Sequence, residues 1–186
     1  MKNLLRKCTG ILSLLTFLLI LPIHYAHSKN VDELFGFKSF DNATNYFSSE
    51  FIENNKFKYN ETISGFWYLN ISDKVSSPYF DIFYIFIDNN NIIHSVQGEK
   101  VYPSIDRCLT FLEKLVSMIE TRKQIEFTYQ EIDLGTILLK RYISQENNTS
   151  VNVQCNEFFD PIKYVMTHYI RSTDFLNAIT EYYNQD

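Results

Sequence analysis

The chain has 186 residues, 45% hydrophobic, 21% charged and 16% aromatic, with five glycines, four prolines and a formal charge of −5. That composition excludes a disordered or collagen-like chain, and the length suits one packed core better than two. Basic residues occur at most in pairs, Arg122-Lys123 and Lys140-Arg141 among them, so neither nucleic acid nor an anionic membrane surface is an expected partner.

Lys2, Arg6 and Lys7 precede an apolar run from Ile11 to Leu21, which Pro22-Ile23 closes and Ala26-His27-Ser28 follows. This is the pattern of a signal peptide over residues 1–28. The run is about a dozen residues, short of the roughly twenty that cross a bilayer as a helix, so no stable membrane span is expected after cleavage. Cys8 stands before the run and cannot be the lipid-bearing first residue of a mature lipoprotein. Cleavage after Ser28 leaves a single α+β domain over 29–186, with 14 basic and 22 acidic residues and a formal charge near −8. The expected location is periplasmic or secreted.

Val31 to Phe40 reads as a short entry segment, after which Asp41 can cap a helix with Ala43, Phe47 and Phe51 four residues apart. Thr62 to Ser72 alternates, with Ile63, Trp67, Leu69 and Ile71 on one face, and predicts a strand. Tyr79 to Ile87 is nearly continuous in apolar and aromatic residues, as in an interior strand buried on both faces. Asp88-Asn89-Asn90-Asn91 then supplies a turn, and Ile92 to Gln97 completes an antiparallel hairpin. A calcium loop there would need further alternating oxygen ligands and a closing acidic residue, which the following isoleucines do not provide.

Ser104 opens the clearest helix, with Ile105, Leu109, Leu112, Val116 and Ile119 on one stripe, Asp106 in its first turn and Arg122 and Lys123 at its end. Alternating segments follow at Ile125 to Tyr129, Ile137 to Ile143, Val151 to Cys155 and Ile162 to Ile170, with a turn over Gln145 to Ser150. Thr173 or Asp174 caps a last helix through Phe175, Leu176, Ile179 and Tyr183. The expected fold is therefore α+β, with about six to seven antiparallel strands and three helices in the order helix, strands, helix, strands, helix. A distant duplication of a helix-plus-three-strand unit is compatible with that order, although no residues match across the halves.

Two cysteines remain after cleavage, Cys108 and Cys155, in a chain bound for an oxidising compartment, and they are expected to pair. Loop-closure entropy gives such a bridge roughly 4 kcal/mol. Cys108 flanks the apolar stripe of its helix and should face a sheet carrying Cys155.

No set of residues spells out a named chemistry. Glycine-rich phosphate loops, GxSxG, HExxH and CxxC are all absent from the sequence. His94 and His168 are the remaining histidines; each falls in a predicted strand, where an ordinary hydrogen-bonded histidine is commoner than a ligand or base. Acidic residues such as Asp81, Glu99, Asp106, Glu126 and Asp133 are scattered and receive no role. Tyr79, Tyr84, Phe86, Tyr142, Tyr164 and Tyr169 suit a core, a hydrophobic groove or a partner surface. Sequons begin at Asn42, Asn60, Asn70, Asn147 and Asn148, a mild excess for so asparagine-rich a chain, and Asn70 lies inside a predicted strand.

Leu34-Phe35-Gly36-Phe37-Lys38 near the start of the mature chain, with one cysteine in a central helix and another in a late strand before Tyr169, is similar to small exported proteobacterial proteins of unassigned function. The resemblance implies a periplasmic or secreted location and a single disulfide, and brings no catalytic or binding residues with it. The sequence thus predicts an exported binding domain whose partner is a protein or a small apolar ligand, without catalysis, metal or cofactor. A small secreted hydrolase using His94 or His168, and a structural protein of the cell envelope, are the alternatives.

Overall fold

The computed structural model describes residues 31–58, 65–146 and 148–183. The signal-peptide segment, Thr62, Ile63 and the sequons at Asn60 and Asn147 lie outside these residues. In chain order the elements are β1 (Glu33–Leu34), β2 (Phe37–Lys38), a 3-10 turn (Ala43–Asn45), α1 (Ser49–Asn55), β3 (Lys56–Lys58), β4 (Phe66–Asn70), β5 (Ile82–Asp88) and β6 (Ile93–Tyr102). Then come α2 (Ile105–Lys123), β7 (Thr128–Asp133), β8 (Ile137–Glu146), β9 (Thr149–Phe159), β10 (Ile162–Ser172) and α3 (Thr173–Tyr183). β1 and β2 form a hairpin of their own, and the other strands make one eight-stranded antiparallel sheet in the order β3-β4-β5-β6-β10-β9-β8-β7. The fold is α+β.

The sheet consists of two meanders, β3 to β6 and β7 to β10, each following a helix and joined where their last strands pair, Tyr102 opposite Tyr164 and Val96 opposite Ile170. The first unit thus has four strands where the alternating segments suggested three, and the second has the four that they suggested. The expected six to seven strands miss β1, β2 and β3, which are two or three residues long and too short to show a period.

Boundaries also differ: β7 spans Thr128–Asp133 where Ile125 to Tyr129 was expected, β6 and β9 run longer than the alternation suggested, and three further segments depart from expectation. The helix expected from Asp41 is broken: Asn42 caps the 3-10 turn, and Ser48, in extended conformation, accepts the Phe51 amide and starts α1 afresh. Asp41 instead accepts the Tyr46 hydroxyl at 2.8 Å, a tertiary bond that competes with helix continuation. Tyr79 and Phe80 lie before β5 rather than in it. The turn expected over Gln145 to Ser150 is tight, since β8 runs to Glu146 and β9 resumes at Thr149.

α2 forms as expected, with the Ser104 hydroxyl capping the Arg107 amide and Cys108, Leu112, Leu115 and Val116 buried. Side-chain alternation puts Val151, Val153 and Cys155 of β9 on one face with Met166, His168 and Ile170 of β10. α2 packs on that face, and the Cys108–Cys155 disulfide joins them across a Cα–Cα distance of 6.1 Å. The same face continues as Phe83, Ile85 and Leu69 on β5 and β4, so the core lies between the sheet and α2, α1 and the β1–β2 hairpin.

The opposite face is polar. Asn152 Nδ2 donates to the Tyr169 hydroxyl at 2.7 Å, Asn156 Nδ2 to Thr167 at 3.2 Å, and Arg171 donates to Gln97 while its guanidinium lies 3.7 Å over the Tyr169 ring. α3 crosses one end of this face, setting Phe175 against Phe66 and Phe86. Among the described residues no helix is long and apolar enough to cross a membrane.

Candidate functional site

Gly98 on β6 stands beside His168 on β10 and presents no side chain to the core. Phe35, from the tip between β1 and β2, and Phe80, from the segment before β5, fill the space a Cβ at Gly98 would take. Phe35 reaches that point because Phe35 and Gly36 both adopt positive φ, of 56° and 86°, in a tight turn that needs glycine at its second position. The rings of Phe35 and Phe80 meet edge-on at 5.3 Å and frame His168 at 6.3 and 6.1 Å.

Beside this cluster lies a cavity of about 190 Å³. Leu115, Met118 and Ile119 of α2 form one wall, Val151 and Ile170 of the sheet the floor, and Phe35 and Phe80 the far side. Glu33, Arg122 and Lys123 stand at the rim. Its lining is mostly hydrocarbon, with polar groups only at the rim, on Tyr79 and on His168, which suits an apolar ligand held by a small number of polar contacts.

His168 is 5% exposed. Its Nδ1 lies 3.0 Å from the backbone oxygen of Asn152, which can only accept, so Nδ1 carries the proton. Burial pushes its pKa down to about 4, opposed only in part by that hydrogen bond, and the ring is uncharged at neutral pH. It is thus a neutral imidazole with an acceptor nitrogen in an apolar wall.

His94 occupies a different environment. Pairing between β5 and β6 skips from Phe86 opposite Ser95 to Ile87 opposite Ile93, which leaves His94 as the extra residue of a β-bulge. Its Nδ1 lies 2.9 Å from Ser172 Oγ and its Nε2 3.4 Å from Asp88 Oδ2, with Phe66 edge-on at 5.2 Å. These are the residue types of a serine hydrolase, but each is held by the fold. Ser172 is fully buried and its Oγ accepts the Phe175 amide as the N-cap of α3. Asp88 Oδ1 accepts the amides of Asn90 and Ile92 in the turn. The arrangement fastens the β5–β6 turn to the start of α3 and offers its serine to no substrate.

Although β6 and β10 are neighbours, the two histidines do not converge: His168 lies opposite Gly98 on the face under α2, whereas His94 meets the cap of α3. Among the described residues no group of three or more His, Cys, Asp or Glu could hold a metal ion. Asp81 and Glu99 come together, the Asp81 amide donating to the Glu99 backbone oxygen at 2.9 Å, but their carboxylates are engaged elsewhere, by Lys100 and by Gln97; Asp133 caps the Gly135 amide, Asp106 sits in the first turn of α2, and Glu126 is exposed. Of the six aromatics singled out by sequence, Tyr79 lines the cavity and Tyr169 a polar cleft of about 510 Å³ beside α3. Tyr84 meets Tyr68 edge-on, Tyr142 packs at a tilt on Tyr129, Phe86 packs on Phe175, and Tyr164 sits half-buried on β10. The polar clefts, that one and another of about 690 Å³ along β7 and β8, are wider, but their amide, hydroxyl and charged groups are well solvated when open to solvent, so they select an occupant less sharply than the apolar cavity.

Phe35 and Phe80, which shape the cavity, carry no signal in sequence beyond the Leu34-Phe35-Gly36-Phe37-Lys38 turn itself. No protein-family model, curated protein or solved structure matches the chain.

Proposed function

We propose that this chain is an exported, disulfide-stapled binding domain that holds a small apolar ligand in the cavity beside His168 and performs no chemistry on it. The observation that carries this reading is the hydrocarbon-lined space of about 190 Å³ between α2 and the sheet. The space opens to solvent at its rim, and its volume is in the range of an apolar cavity of about 150 Å³ that is enough to bind benzene. Export is supported by the charged-then-apolar leader and by the Cys108–Cys155 bridge, which belongs to an oxidising compartment. The hydrolase reading is weakened by the commitment of His94, Ser172 and Asp88 to the fold.

The test is calorimetric titration of the oxidised protein with p-xylene, together with its thermal melt, in native protein and in Ile119→Trp, which fills the cavity from α2. Saturable binding with a rise in Tm, lost in the folded Ile119→Trp protein, is the expected result. No binding to native protein would overturn the proposal.

A further inference from the structure

The cavity beside His168 has two chemistries, a hydrocarbon body and a charged mouth. α2 lays Leu115, Met118 and Ile119 along the body and, one turn on, brings Arg122 and Lys123 to the rim. Two cations in the last turn of a helix ordinarily answer the helix dipole. Arg122 is placed for more than that: it lines the apolar space, is exposed, and makes no hydrogen bond or ion pair with any other described residue. Tyr79, exposed in the same lining, has a hydroxyl that can also donate. Against these groups the lining holds a single carboxylate, that of Glu33 on β1, which stands opposite Lys38 across the hairpin.

We infer that the ligand is a small amphiphile with one carboxylate, of the aryl or short-chain carboxylic acid class, whose hydrocarbon fills the cavity while its carboxylate stays at the mouth against Arg122. This rests on the proposed ligand site and adds the head group by which that site selects. A carboxylate is specified because the planar guanidinium of Arg122 offers parallel N–H donors that match its two oxygens. The charge need not be buried: the space opens to solvent at its rim, so the head group keeps much of its hydration while the hydrocarbon leaves water. A cationic head would meet Arg122 and Lys123, with Glu33 the one group in the lining to attract it. Size follows from the volume, one ring with its substituents.

The test compares p-toluate, p-toluamide and 4-methylbenzylammonium, which share one hydrocarbon body and differ in head-group charge, by calorimetry on the oxidised protein at low salt, with p-xylene as the probe of the apolar body alone. p-Toluate is expected to bind about fivefold more tightly than p-toluamide, the gain an exposed ion pair allows, and the ammonium more weakly than either. Arg122→Gln, a surface substitution the fold should tolerate, is expected to bring p-toluate and p-toluamide within about twofold while keeping p-xylene affinity, and about 0.5 M salt to do the same in native protein. Equal affinities for carboxylate and amide in native protein, or a carboxylate preference that survives Arg122→Gln, would overturn the inference, and p-xylene binding would then leave the apolar site standing. Binding of none of the four compounds would remove both.

Discussion

The ring of Phe35 lies where a side chain at Gly98 would begin: a Cβ there would stand 2.7 Å from both Cε2 and Cζ of Phe35 and 3.0 Å from Cγ of Phe80. The glycine is required by packing, not by backbone conformation. Phe35 is also held edge-on by Phe83 at 5.0 Å, so it has little room to retreat. Gly98→Ala is expected to cost about 1–3 kcal/mol in urea denaturation, and to weaken ligand binding because it displaces a cavity wall. An unchanged midpoint would show that the aromatic cluster yields freely.

His168 makes stability depend on pH in a defined direction. Its pKa is about 4 in the folded chain and near 6.5 unfolded, so below pH 6.5 the unfolded chain takes up a proton the folded one refuses. Stability from this residue is full above pH 6.5 and falls as pH drops toward 4, by as much as about 3 kcal/mol. Urea titrations at pH 7.5 and 4.5 should differ accordingly, and the difference should shrink in a folded His168→Leu variant.

Ser172→Ala removes the acceptor for the Phe175 amide and the hydroxyl partner of His94 together. A loss of about 1–3 kcal/mol is expected, with amide exchange accelerated first at the start of α3. Uniform acceleration across the sheet would mean that the contact supports more than the helix it caps.

Protein recovered from its native host should have the intact mass of residues 29–186 less two hydrogens, and should alkylate only after reduction. A full-length chain with free thiols would refute both export and the natural formation of the bridge.

Much of this architecture is legible in the sequence where periods run long. The 3–4 spacing of Leu112, Val116 and Ile119 gives α2, and Trp67 and Leu69 give β4, with Leu69, and Ile71 just past its end, fully buried as the alternation requires. Cys108 and Cys155 pair as oxidising conditions and helix geometry suggest. What stays hidden depends on distant partners. β1, β2 and β3 exist only because other segments hold them, and the break before α1 follows from one bond between Tyr46 and Asp41. The cavity needs a turn near residue 35, a glycine at 98, a helix near 118 and a strand at 168 to converge, which no local pattern encodes.

Within each meander every connection between neighbouring strands is local, whereas β6 and β10 meet across the whole length of α2 and β7 to β9. The Cys108–Cys155 link lies entirely on one side of that junction, binding α2 to β9. If the junction opens while the bridge is intact, α2 remains with β7 to β10, and β3 to β5 are left with only short-range partners. The oxidised molecule is therefore a protected half carrying a more labile one: deuterium uptake should begin in β3 to β5 and reach α2 late, and reduction should abolish that order.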